Sequence, residues 1–278
     1  MFSVFKAFNP KFYPEIAKQS TGRSIGFLLI FVLIISSLVS AKYTVVTFSG
    51  FSAARKWVKD NLSGIASQYP SIAVDKGNVL EPKDAFVKEY DKNFAVVIEP
   101  DPANAKSAQD KYTNMILLTK NMIVTKQTDR GGTAEVKTYN LENKSFTVTP
   151  FNSGFKIGFE NKVFELTAKV IDTWFGIISW FVFPALLILW FVIWCIVKPL
   201  HIFIFSLISL IIGAVSKARL AYKELWNIGA YAIVPGTSLA VLMDILGLKI
   251  PLAGLIYWII YIVYLYLGIK EAAAEVSA

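Results

Sequence analysis

Few side chains in this sequence have the type and setting to do chemistry, and the first is Asp244. It lies in Ala240-Val241-Leu242-Met243-Asp244-Ile245-Leu246, near the end of an apolar segment. A carboxylate inside a membrane is costly and marks ion coupling or a helix–helix lock by default. The plainer reading places it at the interface and paired, with Gly247 and Lys249 close by. Pro184, Pro199, Pro235 and Gly236 can break helices, and broken helices expose backbone groups that line substrate sites in transporters. They also occur as ordinary kinks. Asp244, Pro235 and Tyr231 are therefore the candidate intramembrane functional residues, and no repeated half accompanies them.

His201 is the only histidine and Cys195 the only cysteine. A metal site needs several His, Cys or carboxylate ligands, and a Ser-His-Asp arrangement needs a nucleophile and an orienting acid nearby. His201 follows Lys198-Pro199-Leu200 and reads as a polar residue at a membrane edge. Cys195, between Trp194 and Ile196, reads as a small packing residue. No disulfide can form within the chain. No metal and no cofactor is expected.

The acids Asp75, Glu81, Asp84, Glu89, Asp91, Glu99 and Asp101 fall in a more polar stretch. Two carboxylates can hydrolyse a glycoside, but this spacing selects no pair, and a solvated surface is the simpler reading. Asp129-Arg130-Gly131-Gly132 lacks the Lys-Ser/Thr and helix of a phosphate loop. A sugar-stacking platform needs exposed aromatic rings, and Trp57 is the only tryptophan of the polar stretch, on a helical face expected to be buried. The other six tryptophans lie in or beside apolar segments, as interface anchors do. No enzyme is expected.

The elements that position these residues follow from uneven composition. The 278 residues are 55% hydrophobic and 17% charged, and the mean hydropathy is +0.51. A soluble domain has roughly 45–50% apolar and 25% charged residues. Residues 42–172 hold 18 of the 28 basic side chains and 15 of the 20 acids, interleaved and without the one-sided patch that a nucleic-acid binder needs. No nucleic-acid partner is expected; the lipid bilayer is.

Residues 1–24 carry Lys6, Lys11, Lys18 and Arg23 among aromatics, which predicts an amphipathic cytoplasmic segment on the inner membrane face. Residues 25–41 are uncharged and, with their flanks, reach the ~20 residues of a crossing. Val39-Ser40-Ala41 resembles a signal-peptidase site, but the long basic flank and the further apolar segments favour an uncleaved helix. Residues 42–170 read as an extracytoplasmic α+β domain. Phe51–Ala66 has helical spacing. Asp75-Lys76-Gly77-Asn78 is a hairpin turn, and Phe94–Ile98 is a buried strand. Met115–Leu118 and Met122–Val124 form a hairpin or one interrupted strand. Ala134–Tyr139 and Lys144–Thr149 complete an antiparallel meander, and Phe159–Val170 is predicted helical.

Residues 171–270 form a C-terminal bundle of membrane helices, followed by a polar tail, 271–278. Trp174–Val197 and Ile202–Val215 are read as two spans joined at Lys198-Pro199. With Trp226–Leu246, Ile250–Ile269 and the first helix, this makes five, because so long an apolar stretch exceeds one crossing even when tilted. The fold class is thus an α-helical multispan membrane protein with an inserted α+β extracytoplasmic domain. Basic residues before Ile25 place the N-terminus inside. Five spans then put Lys217, Arg219 and Lys223 outside, against the positive-inside tendency. A four-span path, with Trp174–Val215 crossing once, puts them inside and returns the C-terminus to the cytoplasm.

Several stretches carry a resemblance. They are Phe8-Asn9-Pro10-Lys11-Phe12-Tyr13, Phe94-Ala95-Val96-Val97-Ile98, Ile116 to Val124, and Leu225-Trp226-Asn227-Ile228-Gly229-Ala230-Tyr231-Ala232-Ile233-Val234-Pro235. In this order the chain resembles the bacterial DUF1189 family of membrane proteins. The resemblance implies a cell-membrane location and, through association with maltodextrin utilisation, membrane-protein partners that include a sugar-uptake transporter. Gly229 to Pro235 also resembles the membrane core of the Yip family, in which the preceding stretch is cytoplasmic; this implies the four-span path. Neither resemblance supplies an active site. The expected function is a non-enzymatic accessory, sensing or scaffolding membrane protein; the alternative is a small transporter or channel using the C-terminal bundle.

Overall fold

The computed structural model describes residues 4–90, 93–129, 131–160, 162–215, 220–248 and 250–277. The expectations at Asp91, Arg130, Ser216, Lys217, Arg219 and Lys249 lie outside the described residues. The chain divides into two units, residues 1–49 with 178–278, and residues 50–177.

The first unit is helical. Two 3-10 turns, Val4–Phe8 and Pro10–Phe12, lead into α1 (Tyr13–Lys18) and α2 (Thr21–Ala66). Asn9 caps the second turn, its Oδ1 accepting from the Lys11 amide, and Pro10 supplies the fixed φ of a first helical position. Apolar residues of α2 recur at Phe27, Leu28, Phe31, Val32, Ile35 and Val39, all buried, so one face of the helix meets the core. α4 (Ala168–Val215), α5 (Tyr222–Ile245) and α6 (Ala253–Ser277) complete the unit. α5 is buried on all sides from Ile228 to Thr237. α6 turns Tyr257, Tyr261, Leu265 and Ile269 inward, at intervals of four.

Four described helices, α2, α4, α5 and α6, are long and apolar enough to cross a membrane. On α4 the outward apolar residues are strongly exposed, with Trp180 at 84%, Ile188 at 65% and Ile211 at 67%. Water does not tolerate a continuous band of this kind; lipid does. The expected five spans are corrected here. Lys198 to His201 is not a turn, and one helix runs from Ala168 to Val215 through Pro184 and Pro199. Each proline removes one backbone donor. The helix continues through both of them.

The N-terminal segment also departs from expectation. It does not lie with all its aromatics outward. Tyr13, Ile16 and Ala17 are buried in the helical core, whereas Phe5 is 85% exposed. The Tyr13 hydroxyl donates to the Ala7 carbonyl at 2.9 Å. Gly268 of α6 makes the room: a Cβ there would collide with the Tyr13 ring and stand 2.9 Å from Ile228.

The second unit holds the far end of α2, the first residues of α4, and two five-stranded sheets. One has the order β10-β9-β8-β1-β2 and the other β3-β4-β5-β6-β7. Their strands are β1 (Ile72–Asp75), β2 (Asn78–Glu81), β3 (Phe86–Glu89), β4 (Phe94–Glu99), β5 (Asn114–Thr119), β6 (Met122–Thr128), β7 (Ala134–Asn140), β8 (Phe146–Phe151), β9 (Gly154–Phe159) and β10 (Lys162–Thr167). The β1–β2 turn has positive φ at Lys76 and Gly77, the geometry of a two-residue hairpin. Met115–Leu118 and Met122–Val124 pair as a hairpin, Leu118 opposite Ile123.

The antiparallel meander needs correction: β4 and β5 are parallel. α3 (Pro102–Lys111) connects them, with Asp101 as its N-cap. Side chains alternate across this sheet. Ala95, Val97, Met115 and Leu117 pack under α3, while Ile98 and Leu118 face Val74 and Leu141. Phe159–Val170 is also corrected. It is largely strand, β10 pairing with β9 from Lys162 to Thr167 before α4 begins. Trp57 lies off the buried face of α2 and is 59% exposed.

Candidate functional site

On α4, Trp194, Lys198 and His201 stand four and three residues apart, which stacks them on one helical face. That face meets α5 and α6 at a cavity of about 460 Å³, lined by Trp194, Lys198, His201, Asp244, Tyr257 and Trp258 among others. Lys198 is 2% exposed. Its Nζ donates to Thr237 Oγ1 at 2.8 Å and to the Tyr257 hydroxyl at 3.1 Å. It also lies over the Trp194 ring at 4.4 Å and the Tyr257 ring at 4.7 Å. An ammonium has three donors, and two of them go to neutral hydroxyls. Among the described residues no carboxylate forms an ion pair with Lys198.

Two more polar atoms face the same problem. Trp194 Nε1 and His201 Nδ1 are buried and have no hydrogen-bond partner among the described residues. Aromatic rings wall the site: the His201 and Trp258 rings are 4.8 Å apart, and Phe205 stacks on Trp258 at 4.8 Å. Gly236 brings α6 close enough to aim Tyr257 at the lysine, since a Cβ there would stand 3.0 Å from the Tyr257 carbonyl. Thr237 precedes Asp244 by seven residues of α5, so Lys198 meets α5 about 10 Å along the helix from Asp244.

The expected site residues are not gathered in one place. Asp244 borders the cavity, and Lys42 of α2 donates to its carboxylate at 2.6 Å and to its backbone carbonyl at 2.5 Å. Pro235 is buried inside α5, which continues through it without a break. The Tyr231 ring stacks on Phe27 of α2, centroids 3.8 Å apart and planes 3° apart. Tyr231 and Pro235 thus pack helices, and the site rests on Lys198, which the sequence reading assigned to a turn. The signal available was the Trp-x3-Lys-x2-His spacing inside an apolar run. Cys195 is partly buried and packs against the helical core.

At the other end of α5, Asn227 is fully buried and fully engaged. Its Nδ2 donates to the carbonyls of Ala17 and Gln19 at 3.1 and 2.8 Å, and its Oδ1 accepts from Ser24 at 2.8 Å. Two ion pairs mark the two ends of the helical unit. Lys18 meets Glu275 at 2.6 Å, and Lys42 meets Asp244 at 2.6 Å.

In the β-rich unit, several of the acids weighed for catalysis have structural partners. Asp75 accepts from Ser145, Asp101 caps α3, and Glu99 accepts the Asp101 amide. Glu89 accepts from Tyr112 at 2.6 Å and Lys111 at 3.2 Å. The Tyr112 hydroxyl, then Lys111, hold the Glu89 carboxyl below the ordinary carboxylate range.

No curated protein and no solved structure matches the chain. A family model does, over residues 3–269, under the description "Protein of unknown function (DUF1189)". With nearly the whole sequence matched, the chain belongs to the DUF1189 family.

Proposed function

We propose that the chain is a non-enzymatic protein of the bacterial cell membrane that crosses four times, keeps both termini in the cytoplasm, and presents its β-rich unit outside as a sensing or scaffolding domain. The observation that carries the path is the pair of end ties. Lys18–Glu275 joins the segment before the first span to the end of the last, and Lys42–Asp244 joins the far end of the first span to the far end of α5. Asn227 sets the start of α5 beside Ala17 and Gln19. The start of α5, with Lys223, then shares a side with Lys6, Lys11 and Arg23, as the positive-inside tendency requires.

We favour this reading over the transporter alternative because α5 continues through Pro235 and Lys42 pairs with Asp244. Partners of the outer domain are other membrane proteins, among them the sugar-uptake transporter implied by the maltodextrin association. Affinity purification of the tagged chain from native membranes in mild detergent tests this. A stoichiometric membrane-protein partner that is lost when residues 67–167 are replaced by a short linker supports the reading. A homogeneous chain without partner, or a partner retained by the deletion, contradicts it.

A further inference from the structure

We propose that the cavity beneath Trp194, Lys198 and His201 binds a headgroup of net negative charge through its phosphate or carboxylate, with the aromatic wall accommodating the apolar part of an amphiphile. The inference rests on the chain spanning a bilayer.

The argument begins with charge. A buried ammonium needs an anion or a full set of acceptors. Lys198 has two neutral hydroxyls, Thr237 and Tyr257, which leave one N–H and the whole charge without an anion among the described residues. Asp244 borders the same cavity, but Lys42 holds its carboxylate at 2.6 Å and offsets its charge at the rim. The second line is convergence. The indole N–H of Trp194 and Nδ1 of His201 are both buried and have no partner among the described residues, and both residues border the same cavity as Lys198. A phosphate or carboxylate carries at least two acceptor oxygens and satisfies the lysine and the indole together.

Size and surroundings agree with this chemistry. At about 460 Å³ the space far exceeds one water, and it falls in the usual range for small-ligand sites of ~300–1,000 Å³. Ala240, Met243, Tyr257 and Trp258 line it, a surface suited to an acyl chain or glycerol backbone. The spacing along α5 puts the lysine about 10 Å beyond the Asp244 pair, within reach of a headgroup that enters from that side of the membrane.

The test uses the full chain, purified in neutral detergent and observed by native mass spectrometry. Phosphatidylglycerol, phosphatidylcholine with the same chains, and inorganic phosphate are the probes. The proposal expects phosphatidylglycerol to bind about tenfold more tightly than phosphatidylcholine, the ratio that 1.4 kcal/mol gives. Lys198→Met fills the volume without the charge and should abolish that preference, while Lys198→Arg retains part of it. Equal binding of the two lipids by the parent protein, or an undiminished preference in Lys198→Met, overturns the proposal. Displacement of phosphatidylglycerol by inorganic phosphate identifies the anion itself as the ligand, and retention identifies the lipid; both uphold the site. If Lys198→Met does not fold, Trp194→Phe removes the indole N–H and the second ring while keeping an aromatic face under Lys198, and an unchanged preference in that variant overturns the proposal. Alkaline extraction of membranes separates the two failures. A chain that resists extraction but shows no preference loses this site alone, and a chain released by alkali loses the membrane reading with it.

Discussion

Asn227 shows how much one side chain can hold in this protein. Its amide satisfies two carbonyls at the end of α1 and accepts from Ser24, all in a setting where water offers no replacement. Leucine has the same number of side-chain heavy atoms, is somewhat larger, and makes none of these bonds. Asn227→Leu should destabilise the detergent-solubilised protein by about 2–4 kcal/mol, the cost of orphaning buried polar groups, read as a lower thermal-unfolding midpoint. The Lys42–Asp244 pair is different. Its side chains are 23% and 41% exposed, and pairs of that kind contribute about 0–1 kcal/mol. Lys42→Ala and Asp244→Ala should each lower stability only slightly, and a double-mutant cycle should return a coupling below about 1 kcal/mol. Glu89 gives the pH response. The Tyr112 hydroxyl and Lys111 lower its folded-state pKa. Its stabilising contribution is therefore complete above the unfolded carboxylate pKa and is lost as pH falls through the folded value. Tyr112→Phe should shift acid unfolding to higher pH, and an unchanged midpoint would show that this bond does not stabilise the fold.

At the scale of elements, two close approaches determine how the helices meet. Gly268 admits Tyr13 and Gly236 admits Tyr257. Gly268→Val should cost about 1–3 kcal/mol by overpacking. Gly254→Ala, at the start of α6 where an added Cβ meets nothing within 4 Å, should be near neutral. The same melting assay compares both. The elements also show what the residues make legible. The Asp75–Asn78 turn, Phe94–Ile98 and the Phe51–Ala66 helix follow from local spacing and turn chemistry, and the structure has them. The β4–β5 pairing was hidden because a parallel neighbour depends on a crossover helix, and Pro100 and Pro102 read as breakers although Pro102 starts α3. Lys198-Pro199 read as a turn by the rules for water-exposed chains, which do not carry over to an apolar surround. For the same reason the candidate site was only partly visible. Asp244 stood out as a charge in an apolar run, while Lys198 was taken for the loop at its edge, and its partners Thr237 and Tyr257 lie on other helices.

For the whole molecule, one long helix in place of two supports the proposed four-crossing path. α4 spans 48 residues, about 72 Å at 1.5 Å per residue, against the ~30 Å of a bilayer core. That length is why the sequence suggested a second crossing, yet the helix continues from Ala168 to Val215 without turning back. Four crossings return both termini to one side; five separate them. Single cysteines placed on a Cys195→Ser background, with labelling of intact cells by a membrane-impermeant maleimide, read this directly. Ser107→Cys in the β-rich unit should label in intact cells. Tyr222→Cys at the start of α5 and Ala274→Cys near the C-terminus should label only after the membrane is permeabilised. Labelling of Tyr222→Cys together with Ser107→Cys in intact cells would contradict the four-crossing account.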